Sequence, residues 1–278
     1  MATMNVLLVV AALALVTAMA VAVLAGPTLA RLWRRQRITR QPFPATWRDI
    51  MRRQVPLVRE LPAAQQLRLK KHIQLLLAEV PFIGCAGLAV SEEMRVIIAA
   101  QAAVLLLGRG GSFGNLREVL IYPGQFVVPY SKPGGGGVVH EGRDVLAGQS
   151  WQRGQVIVAW DAVRDGAADP HDGANVVIHE FAHQLDQDNG VANGAPYVGR
   201  GARQRAWGTL MQREFVELQN RLASAPAGLI RPYAATHPAE FFAVISELFF
   251  EQPQALANER PALYEGLKFC YRLDPLSW

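Results

Sequence analysis

Cysteine is nearly absent: Cys85 and Cys270 are the two in 278 residues. That is too few for a disulfide-stapled secreted scaffold, and each reads as a small apolar residue in a reducing compartment. No segment recurs with the period of about 20–50 residues that marks a solenoid. Charged side chains are missing altogether from residues 1–30 and make up 18% of the whole chain. Apolar residues make up 51%, enough for a sizeable core and incompatible with disorder or a collagen-like repeat.

What charge there is sits unevenly. The net charge is +5, and eight of the 23 positions from Arg31 to Arg53 are arginine. This distribution points to the phosphate headgroups of a membrane surface ahead of nucleic acid, and no direct nucleic-acid binding is expected. Immediately before it, residues 6–25 read VLLVVAALALVTAMAVAVLA, with Thr17 the one polar side chain. At a helical rise of about 1.5 Å per residue the run spans about 30 Å, the thickness of a bilayer core. A cleaved signal peptide competes, since Ala18-Met19-Ala20 has a small-x-small pattern. Against it, residues 1–5 hold no Lys or Arg and the run exceeds an ordinary signal core. Arg31, Arg34, Arg35, Arg37 and Arg40 then place the bulk of the chain in the cytoplasm by the positive-inside rule.

The expected organisation is a tail (1–5), a transmembrane helix (6–25), a basic, proline-containing linker (26–60) and a globular domain (61–278) of α+β class. Pro42, Pro44 and Pro56 motivate the linker. Residues 62–79 and 96–107 carry helical patterns, the second apolar enough to be buried. EVLIY (118–122) and QVIVAW (155–160) read as strands. Gly134 to Gly137 has no following Lys-Ser/Thr, so a phosphate loop is unexpected and a hairpin tip is the better reading. Trp207, Leu210, Met211, Phe215, Leu218 and Leu222 form one amphipathic stripe, and residues 241–250 belong to another helix.

Chemistry concentrates in residues 175–186, NVVIHEFAHQLD. His179 and His183 leave the same helical face and can share one ion, while Glu180 beside them can reach a metal-bound water. This is the H-E-x-x-H arrangement of zinc peptidases, with the glutamate as base. A catalytic zinc needs a third ligand, and no histidine follows closely. Glu240, Glu247 and Glu251 share one face of an apolar helix. Glu240 is the choice of ligand, with Glu247 as substitute or outer partner. Asp186 either fixes the tautomer of a histidine or serves as a helix C-cap or in a loop salt bridge. Tyr233 is either a donor to a developing oxyanion or a half-buried aromatic. His72, His140 and His171 receive no role, and His237 precedes a helix-starting Pro238.

The segments EVLIYPGQFVVP (118–129), GQSWQRGQVIVAW (148–160), NVVIHEFAHQLD (175–186), YAATHPAEFFAVISELFF (233–250) and FCYRLDPL (269–276) closely resemble the Mlc titration factor A family of gluzincin-type zinc peptidases. The resemblance covers residues 61–278. It implies one Zn2+ held by His179, His183 and Glu240, Glu180 as catalytic base, and Tyr233 near the reacting carbonyl. The spacing of Tyr233 from Glu240 also looks like the catalytic domain of anthrax lethal factor. The family is associated with aminopeptidase-like activity and with binding the glucose-responsive repressor Mlc, and its best-known member is soluble, unlike a chain that begins with an anchor. The resulting expectation is a single-pass, inner-membrane zinc metallopeptidase acting on a peptide or protein substrate. Its rivals are a membrane-tethered regulatory protein that binds an Mlc-type repressor with zinc mainly structural, and a secreted protease. The QVIVAW strand is expected to offer an edge to an extended peptide.

Overall fold

The computed structural model describes residues 2–124, 126–133, 139–146, 148–151, 154–190, 192–224 and 228–278. Two compact units result, Met1–Pro42 and Phe43–Trp278. The first is a single helix, α1 (Ala2–Arg40). Among the described residues it is the one helix long and apolar enough to cross a membrane. Leu15, Val23, Leu24 and Leu29 on it are exposed. The helix runs past Ala25 into the segment expected to be linker, because Leu29, Leu32 and the arginines are good helix formers.

The second unit contains α2 (Ala45–Gln54), α3 (Leu57–Glu60), α4 (Ala63–Glu79), β1 (Phe82–Gly84), α5 (Glu92–Val104) and β2 (Glu118–Tyr122). There follow β3 (Phe126–Pro133), β4 (Val139–Leu146), β5 (Gly148–Trp151), β6 (Gln155–Ala159), α6 (Trp160–Ala168) and α7 (Val176–Asp186). The chain closes with α8 (Ala202–Leu222), α9 (Pro238–Glu251), α10 (Pro253–Glu259) and α11 (Pro261–Tyr271). The fold is therefore mixed: many helices around a small sheet.

This compact unit takes in residues 43–60, which the proline content had set outside it. Pro44, Pro56 and Pro62 occupy the N-cap positions of α2, α3 and α4. There a missing N–H costs nothing, since the first turn has no partner for it. Ile50, Met51, Val55, Leu57 and Val58 are buried in the core.

The main sheet has the order β1-β2-β6-β5. β1, β2 and β6 are parallel, and β5 runs antiparallel to β6. The register Val119↔Val156 and Ile121↔Val158 pairs side chains that are fully buried, as expected where helices cover a parallel sheet. β6 lies between β2 and β5, so QVIVAW is an interior strand and the open edge on that side belongs to β5. β3 and β4 pair separately as an antiparallel hairpin. The glycine run 134–137 lies outside the described residues.

Two helices carry the core toward the site. α5 is capped by Ser91, which accepts the Met94 N–H at 3.2 Å, and Glu92 and Glu93 in its first turn suit the helix dipole. Every residue from Val96 to Val104 is buried, and the alanines among them let α4, α6 and α7 pack closely. α9 is buried along its length from Phe241. Phe242 and Phe249 stack on Tyr271, with ring centroids 6.2 and 5.4 Å away. Each such phenyl contributes about 1.5–3 kcal/mol by burial. α7 packs against β5 and β6 on one side and α9 on another.

Candidate metal centre

α7 begins where Asn175 folds back on it. The Asn175 side-chain oxygen accepts the N–H groups of Val177 at 3.1 Å and Ile178 at 3.0 Å, which satisfies two donors that a helix start leaves without partners. Val177, Ile178, Phe181, Ala182 and Leu185 are buried. That packing sets the opposite stripe, His179 and His183, toward α9.

The three expected donor residues meet there. His179 Nε2 lies 3.0 Å from Glu240 Oε2 and 3.3 Å from His183 Nε2, and the third edge, His183 Nε2 to Glu240 Oε2, is 3.4 Å. Tetrahedral ligands about 2.0–2.1 Å from an ion lie about 3.3–3.4 Å from one another. The triangle thus has the dimensions of three ligands around one ion. The donor set, two imidazoles and a carboxylate, is one that holds a divalent metal with a free position.

Electrostatics favour a cation at this point. Burial opposes the charged form of His179, yet its hydrogen bonds to Glu240 and Glu247 outweigh that and push its pKa up to about 10. Burial pulls His183 down. Glu240 is held well below the ordinary carboxylate range: burial raises it, but the two histidines more than compensate.

Glu180 is 1% exposed, and its Oε2 has no hydrogen-bond partner among the described residues. Burial raises its pKa well above the usual value, and Glu240 and Glu247 add to the effect.

Glu247, the alternative ligand, takes another position. Its Oε1 is 2.9 Å from His179 Nδ1 and accepts from Arg231 Nη2 at 2.6 Å, and its Oε2 accepts the Asn175 N–H at 2.5 Å. One buried carboxylate on α9 therefore fixes the tautomer of His179, the start of α7 and the turn that follows Arg231. Glu251, one turn on, accepts from Asn175 Nδ2 at 2.9 Å and from the Ala174 N–H at 3.1 Å. Burial pushes its pKa up to about 8, with Glu247 adding to the rise.

Tyr233 sits in the 3-10 turn Pro232–Ala235, half exposed, its ring centroid 6.2 Å from that of His179. Burial of its hydroxyl end and the nearby Glu240 raise the phenol's pKa. Asp186 Oδ2 accepts the Gly194 N–H at 2.7 Å, a loop contact. His237 caps α9, its Nδ1 accepting the Ala239 N–H at 3.2 Å, and His171 pairs with Glu60 at 3.2 Å. Sequence reasoning overlooked Asn175 and Arg231. The first was readable as an N-cap ahead of an apolar run, whereas the second carries no local signal.

Residues 30–272 match the family model of the glucose-regulated metallo-peptidase M90. The chain belongs to that family. Among its M90 relatives, an uncharacterized protein of Synechocystis sp. (slr2042) is 39% identical over 246 residues, covering 88% of this chain and 90% of that protein. Mlc titration factor A of Serratia proteamaculans is 34% identical over 237 residues, 84% of this chain and 88% of that protein. Its counterpart from Yersinia enterocolitica is 33% identical over the same length, with 84% and 87% covered. The match to a metallopeptidase family is thus joined by a His-His-Glu group that could hold a metal.

Proposed function

We propose that the chain is a membrane-anchored, zinc-dependent peptidase of the gluzincin type, with His179, His183 and Glu240 as ligands of one Zn2+. The observation that carries this reading is the triangle of donor atoms with edges of 3.0, 3.3 and 3.4 Å. When bound, the ion would supply Lewis acidity toward a scissile carbonyl and lower the pKa of its water to about 7. Glu180, whose carboxyl group burial makes more basic, takes the proton of the attacking water and returns it to the leaving amine. Tyr233 donates its hydroxyl to the carbonyl oxygen as negative charge develops. Glu247 keeps His179 Nε2 turned toward Glu240. An extended peptide pairs along the edge of β5, which packs beside α7.

Residues 6–25 form the anchor, and Arg31, Arg34, Arg35, Arg37 and Arg40 keep the peptidase unit on the cytoplasmic side of the inner membrane. The names of the Serratia and Yersinia relatives favour a second reading, a tethered regulatory protein that binds a repressor of the Mlc type with the metal mainly structural. Glu180→Gln separates the two. On the peptidase reading, cleavage of a peptide library falls by about 10²–10⁴-fold while zinc content is unchanged. Cleavage that persists in a zinc-loaded variant refutes it. An inactive wild type that still captures the repressor establishes the second reading, and the library also shows whether cleavage starts from amino ends.

A further inference from the structure

Residues 31–71 hold 12 of the chain's 28 basic side chains but 2 of its 23 acidic ones, a net +10. Residues 72–278 hold the other 16 basic and 21 acidic side chains, a net −5. The positive half of this asymmetry continues beyond α1 into the compact unit. On α2, Ile50 and Met51 face the core while Arg48, Arg52 and Arg53 are exposed. On α4, Arg68 and Lys71 are exposed beside Leu67, a large apolar side chain that is 61% exposed. Positions 64, 67, 68 and 71 share one helical face. Lys70 Nζ lies 5.9 Å from the ring of Phe43, the residue with which the unit begins. Among the described residues, Arg48, Arg52, Arg53, Arg68 and Lys71 form no ion pair.

We propose that α2 and the exposed side of α4 form a docking surface for anionic phospholipid headgroups, with Leu67 entering the interface beside Arg68 and Lys71. This rests on the reading that residues 6–25 cross the bilayer. Arg40 ends α1 and Phe43 opens the compact unit. Eight residues, from Arg40 to Arg48, extend at most about 29 Å, so the membrane is the one anionic surface always within reach of α2. Unpaired arginines at the margin of an apolar anchor are attracted to such a surface over about a Debye length. The remainder of the unit, net negative, is repelled by the same surface, which selects the basic side for contact. A nucleic acid would have to compete from solution for cations already beside lipid phosphate.

The test uses the full chain in vesicles of phosphatidylcholine alone or with about 30% phosphatidylglycerol. A fluorophore is placed at Leu67→Cys in a Cys85→Ala background, Cys270 being buried. Quenching by spin-labelled lipid is expected to be about twofold greater with phosphatidylglycerol. The difference should vanish in about 0.5 M NaCl and in the combined variant Arg48→Gln, Arg52→Gln, Arg53→Gln, Lys71→Gln. Equal quenching in the two lipids, or no response to neutralisation, overturns the docking while a chain that resists alkaline carbonate extraction keeps its span. Release by carbonate overturns the span and the docking together. A single-stranded oligonucleotide that abolishes quenching in phosphatidylglycerol vesicles at equal phosphate concentration assigns the surface to nucleic acid instead.

Discussion

Glu247→Gln is the most informative single change, because it keeps the volume of the side chain while removing its charge and altering its hydrogen-bond pattern. The carboxylate receives three donors on its two oxygens, at 2.9, 2.6 and 2.5 Å. An amide has one acceptor oxygen. With that oxygen toward His179 and Arg231, the NH2 group faces the Asn175 N–H at the start of α7. Turned the other way, it faces Arg231 and His179 Nδ1 and reverses the histidine's tautomer. Either orientation leaves a buried donor against a donor, a loss of about 1–3 kcal/mol. The arginine contributes less to that loss than the distance suggests, since its side chain is 45% exposed. Loss of the carboxylate behind a ligand histidine weakens metal binding by about 10–100-fold, or about 1.4–2.7 kcal/mol. Competition with a fluorescent chelator measures the affinity, and urea unfolding of the metal-free protein measures the stability. A dissociation constant within about twofold of wild type, with an unchanged unfolding midpoint, refutes the role given to Glu247.

Glu251 has its pKa raised to about 8, burial being the main cause. An acid raised in the folded state stabilises most below its unfolded pKa, near 4.5, and that contribution is lost as pH rises toward 8. Glu251→Gln should therefore flatten the decline of unfolding free energy between about pH 4.5 and 8, and a parallel pH profile rejects this. Gly194 has φ +77°, and a Cβ there would lie 2.3 Å from the Pro238 carbonyl oxygen. Gly194→Ala should cost more than about 1 kcal/mol and disturb the start of α9. A melting temperature equal to wild type would show that the loop is free to shift.

The parts of the site legible in the sequence were those written locally. His179, Glu180 and His183 need only the helical step, and an apolar helix carrying Glu240 narrows the choice to a carboxylate turned to solvent or one meeting a cation. α4, α5 and the two strands β2 and β6 followed from periodicity. What sequence reasoning missed depends on partners distant along the chain. Arg231 and Asn175 meet Glu247 through the packing of α7 on α9, and no spacing encodes that. Pro44 and Pro56 misled because a proline at a helix start and a proline in a tether look alike until the following residues find a core. QVIVAW was recognised as a strand, but propensity is silent about how many neighbours a strand has.

The clasp between α7 and α9 has a consequence for how the centre is assembled. Asn175, Glu247, Glu251 and Arg231 close it with bonds among themselves, and the aromatic packing around Tyr271 reinforces α9 from behind. Every bond in that framework is made between groups of the chain itself. In a zinc finger, by contrast, metal binding and folding are one event. Here the packing of α7 on α9 gives the His179, His183 and Glu240 triangle a support made by the chain itself.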